Sequence, residues 1–137
     1  MPKNCSHILM MAGIIVFSAV QAEANNLAII GFAQAYQSRG NHIITTSIEH
    51  PSVLNACYHL EKIGFEVDYL TVNESGLISL EERKMKIRPE TILVSIMHVN
   101  NEIGTIQPIR ECARIIKSCS RAIFHSDCVQ SFGKIPV

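Results

Sequence analysis

The sequence predicts an α/β fold with a mainly parallel sheet and helices on both faces of that sheet. Short apolar segments alternate with longer segments of helical periodicity, as in consecutive strand–helix–strand units. Several apolar segments are almost continuous, which is typical of strands covered on both faces. Polar clusters follow three of the strands, at the edge where ligands bind to such sheets.

Five segments rich in Ile, Val and Phe are predicted to be strands. They are Ile14–Phe17, His42–Thr46, Glu66–Leu70, Ile92–Ile96 and Ala122–Phe124. The 137 residues have the length of one domain, and no linker divides them. Residues 14–137 are therefore predicted to form one domain, and residues 1–13 are left unassigned.

Four segments between the strands are predicted to be helices: residues 23–37, 52–63, 80–87 and 109–119. Residues 38–40 (Ser-Arg-Gly) and Gly64 are stop signals, and Pro108 suits the first turn of the last helix. The second and last helices carry apolar stripes that include Cys57 and Cys112. These two thiols are therefore predicted to lie in the core.

The first 22 residues are compatible with two interpretations. Lys3, the apolar run 8–20 and the Val-Gln-Ala ending at 20–22 resemble a secretory signal peptide with its cleavage site. The alternative is a buried strand, Ile14–Phe17, that enters a turn before a helix. The apolar run is too short and too interrupted for a membrane span. The helix that follows favours the strand.

Composition argues against several classes of partner. The chain has 12 basic and 12 acidic residues, so charge gives no reason to expect nucleic acid or an anionic membrane. Cysteines occur at an odd number of positions and lack the close spacing of zinc ligands: 5, 57, 112, 119 and 128. This pattern predicts reduced thiols in a cytoplasmic protein without a metal site.

Three polar side chains are expected at the carboxyl edge of the sheet: His50, Asn101 and Asp127. Each has a simpler explanation. His50 can cap the helix that follows it, Asn101 and its neighbour Asn100 can form a turn, and Asp127 can cap a short turn. Their common location favours a ligand site. Because a carboxylate at the end of a strand keeps a ring nitrogen protonated, Asp127 suits the pyridine ring of a pyridoxal cofactor.

Four segments closely resemble the cysteine desulfurases, which are pyridoxal-phosphate enzymes of the class V aminotransferase group. They are Glu-Ala-Asn-Asn-Leu-Ala-Ile (23–29), Thr-Ser-Ile-Glu-His-Pro-Ser-Val-Leu (46–54), Val-Asn-Asn-Glu-Ile-Gly-Thr-Ile-Gln-Pro-Ile (99–109) and Phe-His-Ser-Asp-Cys-Val-Gln-Ser-Phe-Gly-Lys-Ile-Pro-Val (124–137). The resemblance runs from about residue 14 onward. It implies the central part of the large domain of a fold type I enzyme.

The resemblance also implies roles for individual residues. Asp127 would pair with the pyridine nitrogen of pyridoxal phosphate, and His50 would stack on the ring and move protons as a catalytic residue. Asn101 and Gln130 would hydrogen-bond the phenolic oxygen. The family reaction converts L-cysteine to L-alanine and enzyme-bound sulfur, which serves iron–sulfur cluster or thiolated-cofactor assembly. The family is also dimeric.

Three departures from the family pattern weaken the expected activity. In the phosphate loop, Val20 stands in place of a glycine and Ala22 in place of a hydroxyl, so phosphate affinity is expected to fall. The sequence ends at Val137, before the lysine segment that forms the Schiff base, and Lys134 belongs to a different stretch. The sulfur-accepting cysteine also has no counterpart, and Cys128 is expected to be a packing residue.

The isolated chain is therefore expected to be an inactive fragment of a desulfurase. Two alternatives remain open at this stage: half of a split enzyme completed by another chain, or a non-catalytic partner of an intact desulfurase. A secreted protein cleaved after Ala22 is the least favoured, because cleavage would fall just before the helix that matches the family.

Overall fold

The computed structural model describes residues 7–11, 14–18 and 21–136, and Lys3, Cys5 and Val20 lie outside these ranges. The six strands of the described chain are β1 (His7–Met11), β2 (Ile14–Ser18), β3 (His42–Thr46), β4 (Glu66–Leu70), β5 (Thr91–Ser95) and β6 (Ile123–Asp127). They form one sheet in the order β2-β1-β6-β5-β3-β4. Strands β6, β5, β3 and β4 are parallel, whereas β1 is antiparallel to both β2 and β6. The predicted fold class is confirmed.

The helices are α1 (Gln21–Asn26), α2 (Phe32–Ala35), α3 (Pro51–Lys62), α4 (Leu80–Lys86) and α5 (Ile109–Cys119). A π-helical turn, Leu27–Gly31, joins α1 to α2, so the first predicted helix is continuous in path but wider in its middle. None of the helices in the described part of the chain has the length and apolar content needed to cross a bilayer.

Two apolar clusters, one on each face of the sheet, hold the helices in place. On one face, Ile43 and Leu93 pack with residues of α3 and of the π-helical turn. On the other face, Ile44 and Val94 pack with Cys112 of α5 and Leu80 of α4. Because successive strand residues point to opposite faces, the continuous apolar runs of β3 and β5 fill both clusters. Both Cys57 and Cys112 are fully buried, as predicted.

Parallel pairing places the carboxyl ends of β3, β5 and β6 at one edge of the sheet. Ile44 is opposite Val94, and Ser95 is opposite His125, so β5 lies between the other two strands. Strand β6 extends to Asp127, three residues beyond its predicted end, because its last residues pair with β1. Asp127 is therefore the final residue of a strand, and the loops after β3 and β5 lie beside it.

Candidate functional site

The four sequence-predicted residues line one cleft at the carboxyl edge of the sheet, with a volume of about 70 Å³. Asp127 is 5% exposed, whereas Asn101 and Gln130 are exposed and His50 is half-buried. In the part of the chain that the structure describes, the lining residues are His50, Met97, Val99, Asn101, Asp127, Val129 and Gln130. Residues that follow β3, β5 and β6 thus meet at one place.

Asp127 is held in position by donors to both of its carboxylate oxygens. The side-chain amide of Asn25 donates to Oδ2 over 3.2 Å, and the backbone N–H of Val129 donates to Oδ1 over 3.1 Å. The Val129 contact shows that Asp127 does cap a turn, in addition to lining the cleft. The two donors fix the orientation of the carboxylate at the end of β6.

His50 is the N-cap of α3 and also a wall of the cleft. Its Nδ1 accepts a hydrogen bond from the backbone N–H of Ser52 over 3.2 Å and lies 2.9 Å from Ser52 Oγ. An Nδ1 that accepts leaves the proton of the neutral ring on Nε2. His50 therefore both caps α3 and lines the cleft.

Asn25 connects these two groups, and its role was not predicted from the sequence. Its Nδ2 donates to Ser52 Oγ over 2.8 Å and to Asp127 Oδ2 over 3.2 Å. The residue is 3% exposed and belongs to α1. The cap of α3 and the carboxylate of β6 are thereby joined through one amide group. The only sequence signal was its position inside the Glu-Ala-Asn-Asn segment.

The neighbouring residues Asn100 and Asn101 have different roles. Asn100 is buried and forms the turn, because its Oδ1 accepts from the N–H groups of Glu102 (2.8 Å) and Ile103 (3.0 Å). Its Nδ2 donates to the carbonyl of Ile48 over 3.0 Å, which ties this turn to the loop after β3. The turn-former explanation is correct for Asn100, and Asn101 is left at the cleft.

Two buried ionisable groups lie behind the cleft. Burial raises the pKa of the Glu49 carboxyl to about 8, and the charge of Asp127 adds to the rise. Burial lowers the pKa of His125 to about 4, against an opposing effect of Asp127. The Nδ1 of His125 lies 2.6 Å from Ser95 Oγ. Within the described ranges no cluster of three or more His, Cys, Asp or Glu residues is placed to hold a metal ion.

A larger cavity of about 300 Å³ lies at the opposite edge, near the start of β5 and β6. None of the site residues predicted from the sequence lines this cavity. Its lining is Phe32, Tyr36, Arg39, Pro89, Thr91, Ile92 and Arg121. Size alone would favour this cavity, but the candidate site is the smaller cleft, because a ligand of a parallel sheet binds at the carboxyl ends of the strands.

The cleft suits the pyridine end of pyridoxal phosphate. A buried, doubly hydrogen-bonded carboxylate and two exposed amides are the groups that a ring nitrogen and a phenolic oxygen require. A volume of about 70 Å³ is far below the roughly 300–1,000 Å³ of ligand pockets, so these residues form one wall of a site and do not enclose it. Ala22 is exposed in α1, and the Val20 part of the predicted phosphate loop lies outside the described residues.

Among the described residues, neither a lysine nor a reactive thiol contributes to the cleft lining. Lys134 is exposed in the segment after β6 and is not among the lining residues. Cys128 is fully buried, and burial raises the pKa of its thiol, which disfavours the nucleophilic thiolate. The packing role that was expected for Cys128 agrees with this burial.

Residues 9–137 match the family model "Aminotransferase class-V". The match begins five residues earlier than the sequence motifs indicated. The chain is also 51% identical over 123 residues to "Cysteine desulfurase, mitochondrial" of Eremothecium gossypii. That alignment covers 90% of this chain and 25% of the relative, so the chain spans about a quarter of the relative's length.

Two solved structures share the fold. A "NIFS-LIKE PROTEIN" superposes with a TM-score of 0.84 at 37% identity, over 93% of this chain and 34% of that one. A structure titled "SspA in complex with cysteine" superposes with a TM-score of 0.70 at 43% identity, over 83% of this chain and 30% of that one.

Proposed function

The chain belongs to the class V aminotransferase family, and on that premise we propose that it supplies the ring-binding wall of a cysteine desulfurase site. The observation that supports this most directly is the carboxylate of Asp127. It is buried at the end of β6, held by Asn25 and Val129, and lines the same cleft as His50, Asn101 and Gln130.

Pyridoxal phosphate, when bound, supplies an electron sink for bond cleavage at an amino acid substrate. Asp127 would pair with the ring nitrogen and hold a proton there. His50 would stack on the ring, and its Nε2 would hold or deliver a proton. Asn101 and Gln130 line the cleft, and their amides would hydrogen-bond the phenolic oxygen.

The proposed substrate of the complete site is L-cysteine, from which the sulfur is removed to leave L-alanine. Two similarities support this substrate: the cysteine desulfurase of Eremothecium gossypii and the structure of SspA in complex with cysteine. Iron–sulfur cluster or thiolated-cofactor assembly is the proposed use of the sulfur, and the cytoplasm the proposed location.

These 137 residues alone are proposed to give no turnover. The described residues that line the cleft include no lysine, and the cleft volume of about 70 Å³ encloses only part of a cofactor. A second wall is therefore required, from further chain, from a second copy or from an intact desulfurase. Because the cleft is open, a site completed by such pairing is favoured over cofactor binding by this chain acting alone as a binding protein.

Titration of the purified chain with pyridoxal phosphate, followed by absorbance and by equilibrium dialysis, tests the ring-binding proposal. We expect measurable binding, and Asp127→Ala should weaken it about tenfold or more because a charged hydrogen bond is lost. The matched control is Asp68→Ala, a partly exposed carboxylate at the distant β4 strand. Equal binding by wild type and Asp127→Ala would refute the assignment of Asp127.

The second part of the proposal is tested with L-cysteine. Wild-type chain incubated with pyridoxal phosphate and L-cysteine should release neither sulfide nor alanine. Adding the remainder of a close relative as a separate polypeptide should tighten cofactor binding and produce turnover. Turnover by the isolated chain would contradict the proposed need for a second wall.

A further inference from the structure

Glu49 is a buried carboxyl group directly beside the cleft, one residue before His50. It is 4% exposed and lies in the loop between β3 and α3. Its Oε1 accepts two hydrogen bonds, from the Thr46 hydroxyl over 2.7 Å and from the Met97 backbone N–H over 2.9 Å. Thr46 ends β3 and Met97 follows β5, so one oxygen atom joins two neighbouring strand ends.

The two residues that this carboxyl group fixes most closely both line the cleft. His50 is its neighbour in sequence, and Met97 is its hydrogen-bond donor. The Asn100 side chain makes a second link between the same two loops, through the Ile48 carbonyl. Side-chain hydrogen bonds thus hold the β3 and β5 sides of the cleft together.

Both hydrogen bonds to Glu49 converge on one oxygen atom. Oε1 accepts from Thr46 and Met97, while Oε2 is buried without a hydrogen-bond partner among the described residues. The ionisable groups that interact electrostatically with it are Asp127 on β6 and Cys57 on α3. Burial and the Asp127 charge raise the pKa of Glu49 to about 8, which agrees with a retained proton at neutral pH.

We propose that Glu49 is a positioning residue, which clamps the ends of β3 and β5 through its carboxyl group and so holds His50 and Met97 in the wall of the cleft. This inference rests on the proposed function only in taking the cleft as the site of pyridoxal phosphate. A neutral acid suits this position, because a second charged carboxylate beside Asp127 would compete with it electrostatically.

Three variants separate the clamp from general stability. Glu49→Gln keeps the carbonyl oxygen and the neutral state, whereas Glu49→Ala removes the acceptor. The matched control is His42→Ala at the opposite end of β3, which also removes a buried side chain with two partners, Thr91 (2.6 Å) and Asp68 (2.9 Å). His42 lies at the edge away from the cleft.

The first readout needs no cofactor. Amide hydrogen exchange at Met97 should accelerate about tenfold in Glu49→Ala, because its acceptor is gone, and should stay within about threefold of wild type in Glu49→Gln and His42→Ala. The NMR signals of the His50 ring should shift in Glu49→Ala alone. The second readout is the Kd for pyridoxal phosphate, which should rise about tenfold in Glu49→Ala and be restored by Glu49→Gln.

The outcomes distinguish this inference from the proposed function. If wild type binds no pyridoxal phosphate but Met97 exchange responds as expected, the clamp stands and the cofactor assignment fails. Unchanged Met97 exchange in folded Glu49→Ala overturns the clamp. Loss of cofactor affinity in Glu49→Gln or His42→Ala equal to that in Glu49→Ala also overturns it, since the effect would then be one of stability.

Discussion

The side-chain amide of Asn25 donates a hydrogen bond to the carboxylate of Asp127 over 3.2 Å, across 102 residues of sequence. The same amide group donates to Ser52, which in turn lies 2.9 Å from the ring of His50. The two groups proposed to face the ring nitrogen and the ring plane are therefore oriented by one buried residue of α1. Helix α1 thus positions Asp127 and His50 at the carboxyl edge of the sheet, although it is not part of that edge.

Replacing Asn25 with Ala should destabilise the fold and weaken cofactor binding together. The substitution leaves Asp127 Oδ2 and Ser52 Oγ without this donor, and loss of buried hydrogen bonds of this kind costs about 1–3 kcal/mol. Urea unfolding followed by circular dichroism measures the loss, and Asn26→Ala at the exposed neighbouring position is the control. Equal stability of the two variants would show that the Asn25 network contributes nothing.

Two substitutions of His50 should separate its contribution to helix capping from the contribution of its imidazole ring to cofactor binding. Asn is a good N-cap, so His50→Asn should retain the stability of α3 to within about 0.5 kcal/mol, while His50→Ala should lose about 1 kcal/mol. Both variants lack the imidazole and should bind pyridoxal phosphate equally weakly. Unfolding curves and cofactor titrations test the two statements separately. Cofactor affinity that follows stability would argue that His50 acts only as a cap.

Local sequence patterns predicted the parallel part of the sheet. Strands β3 and β4 occupy the predicted residues His42–Thr46 and Glu66–Leu70, because each is a short segment with turn or helix-stop residues before it. Strand β1 was not predicted. Residues 8–20 are apolar almost throughout, and periodicity does not divide a continuous apolar run into two strands.

The same contrast holds at the site. His50, Asn101, Asp127 and Gln130 were identified because they follow strands or match motifs, which are local signals. The roles of Asn25 and Glu49 depend on partners 102 and 48 residues away. Neither side chain differs in its local pattern from an ordinary polar residue of a helix or loop, so its contacts emerge only when the chain is folded.

Glu49 should make the fold less stable as pH rises from about 4.5 to about 8. Its carboxyl has an ordinary pKa of 4.5 in the unfolded chain and about 8 when folded. Across that window the folded state keeps a proton that the unfolded state has released, so the free energy of unfolding falls. The total is on the order of 5 kcal/mol, and Glu49→Gln should remove this slope. Urea unfolding of wild type and Glu49→Gln at intervals across this pH range measures the two slopes. If the free energy of unfolding changes with pH equally in both proteins, the result would contradict a protonated Glu49 in the folded state.

His125 should have the opposite effect on the pH dependence of stability: it should make the fold less stable as pH falls from about 6.5 to about 4. Its pKa is 6.5 in the unfolded chain and about 4 in the buried site, so the unfolded state binds the extra proton between these values. Stability from His125 is present above pH 6.5 and lost as pH falls through about 4, by on the order of 3 kcal/mol.

Between about pH 4.5 and 6.5 the effects of Glu49 and His125 oppose each other, so the free energy of unfolding of wild type should be nearly independent of pH. Glu49→Gln should expose the His125 slope, with stability rising with pH, and His125→Asn should expose the Glu49 slope, with stability falling. If the wild-type curve is flat and both single variants are flat as well, neither group has the pKa that its burial implies.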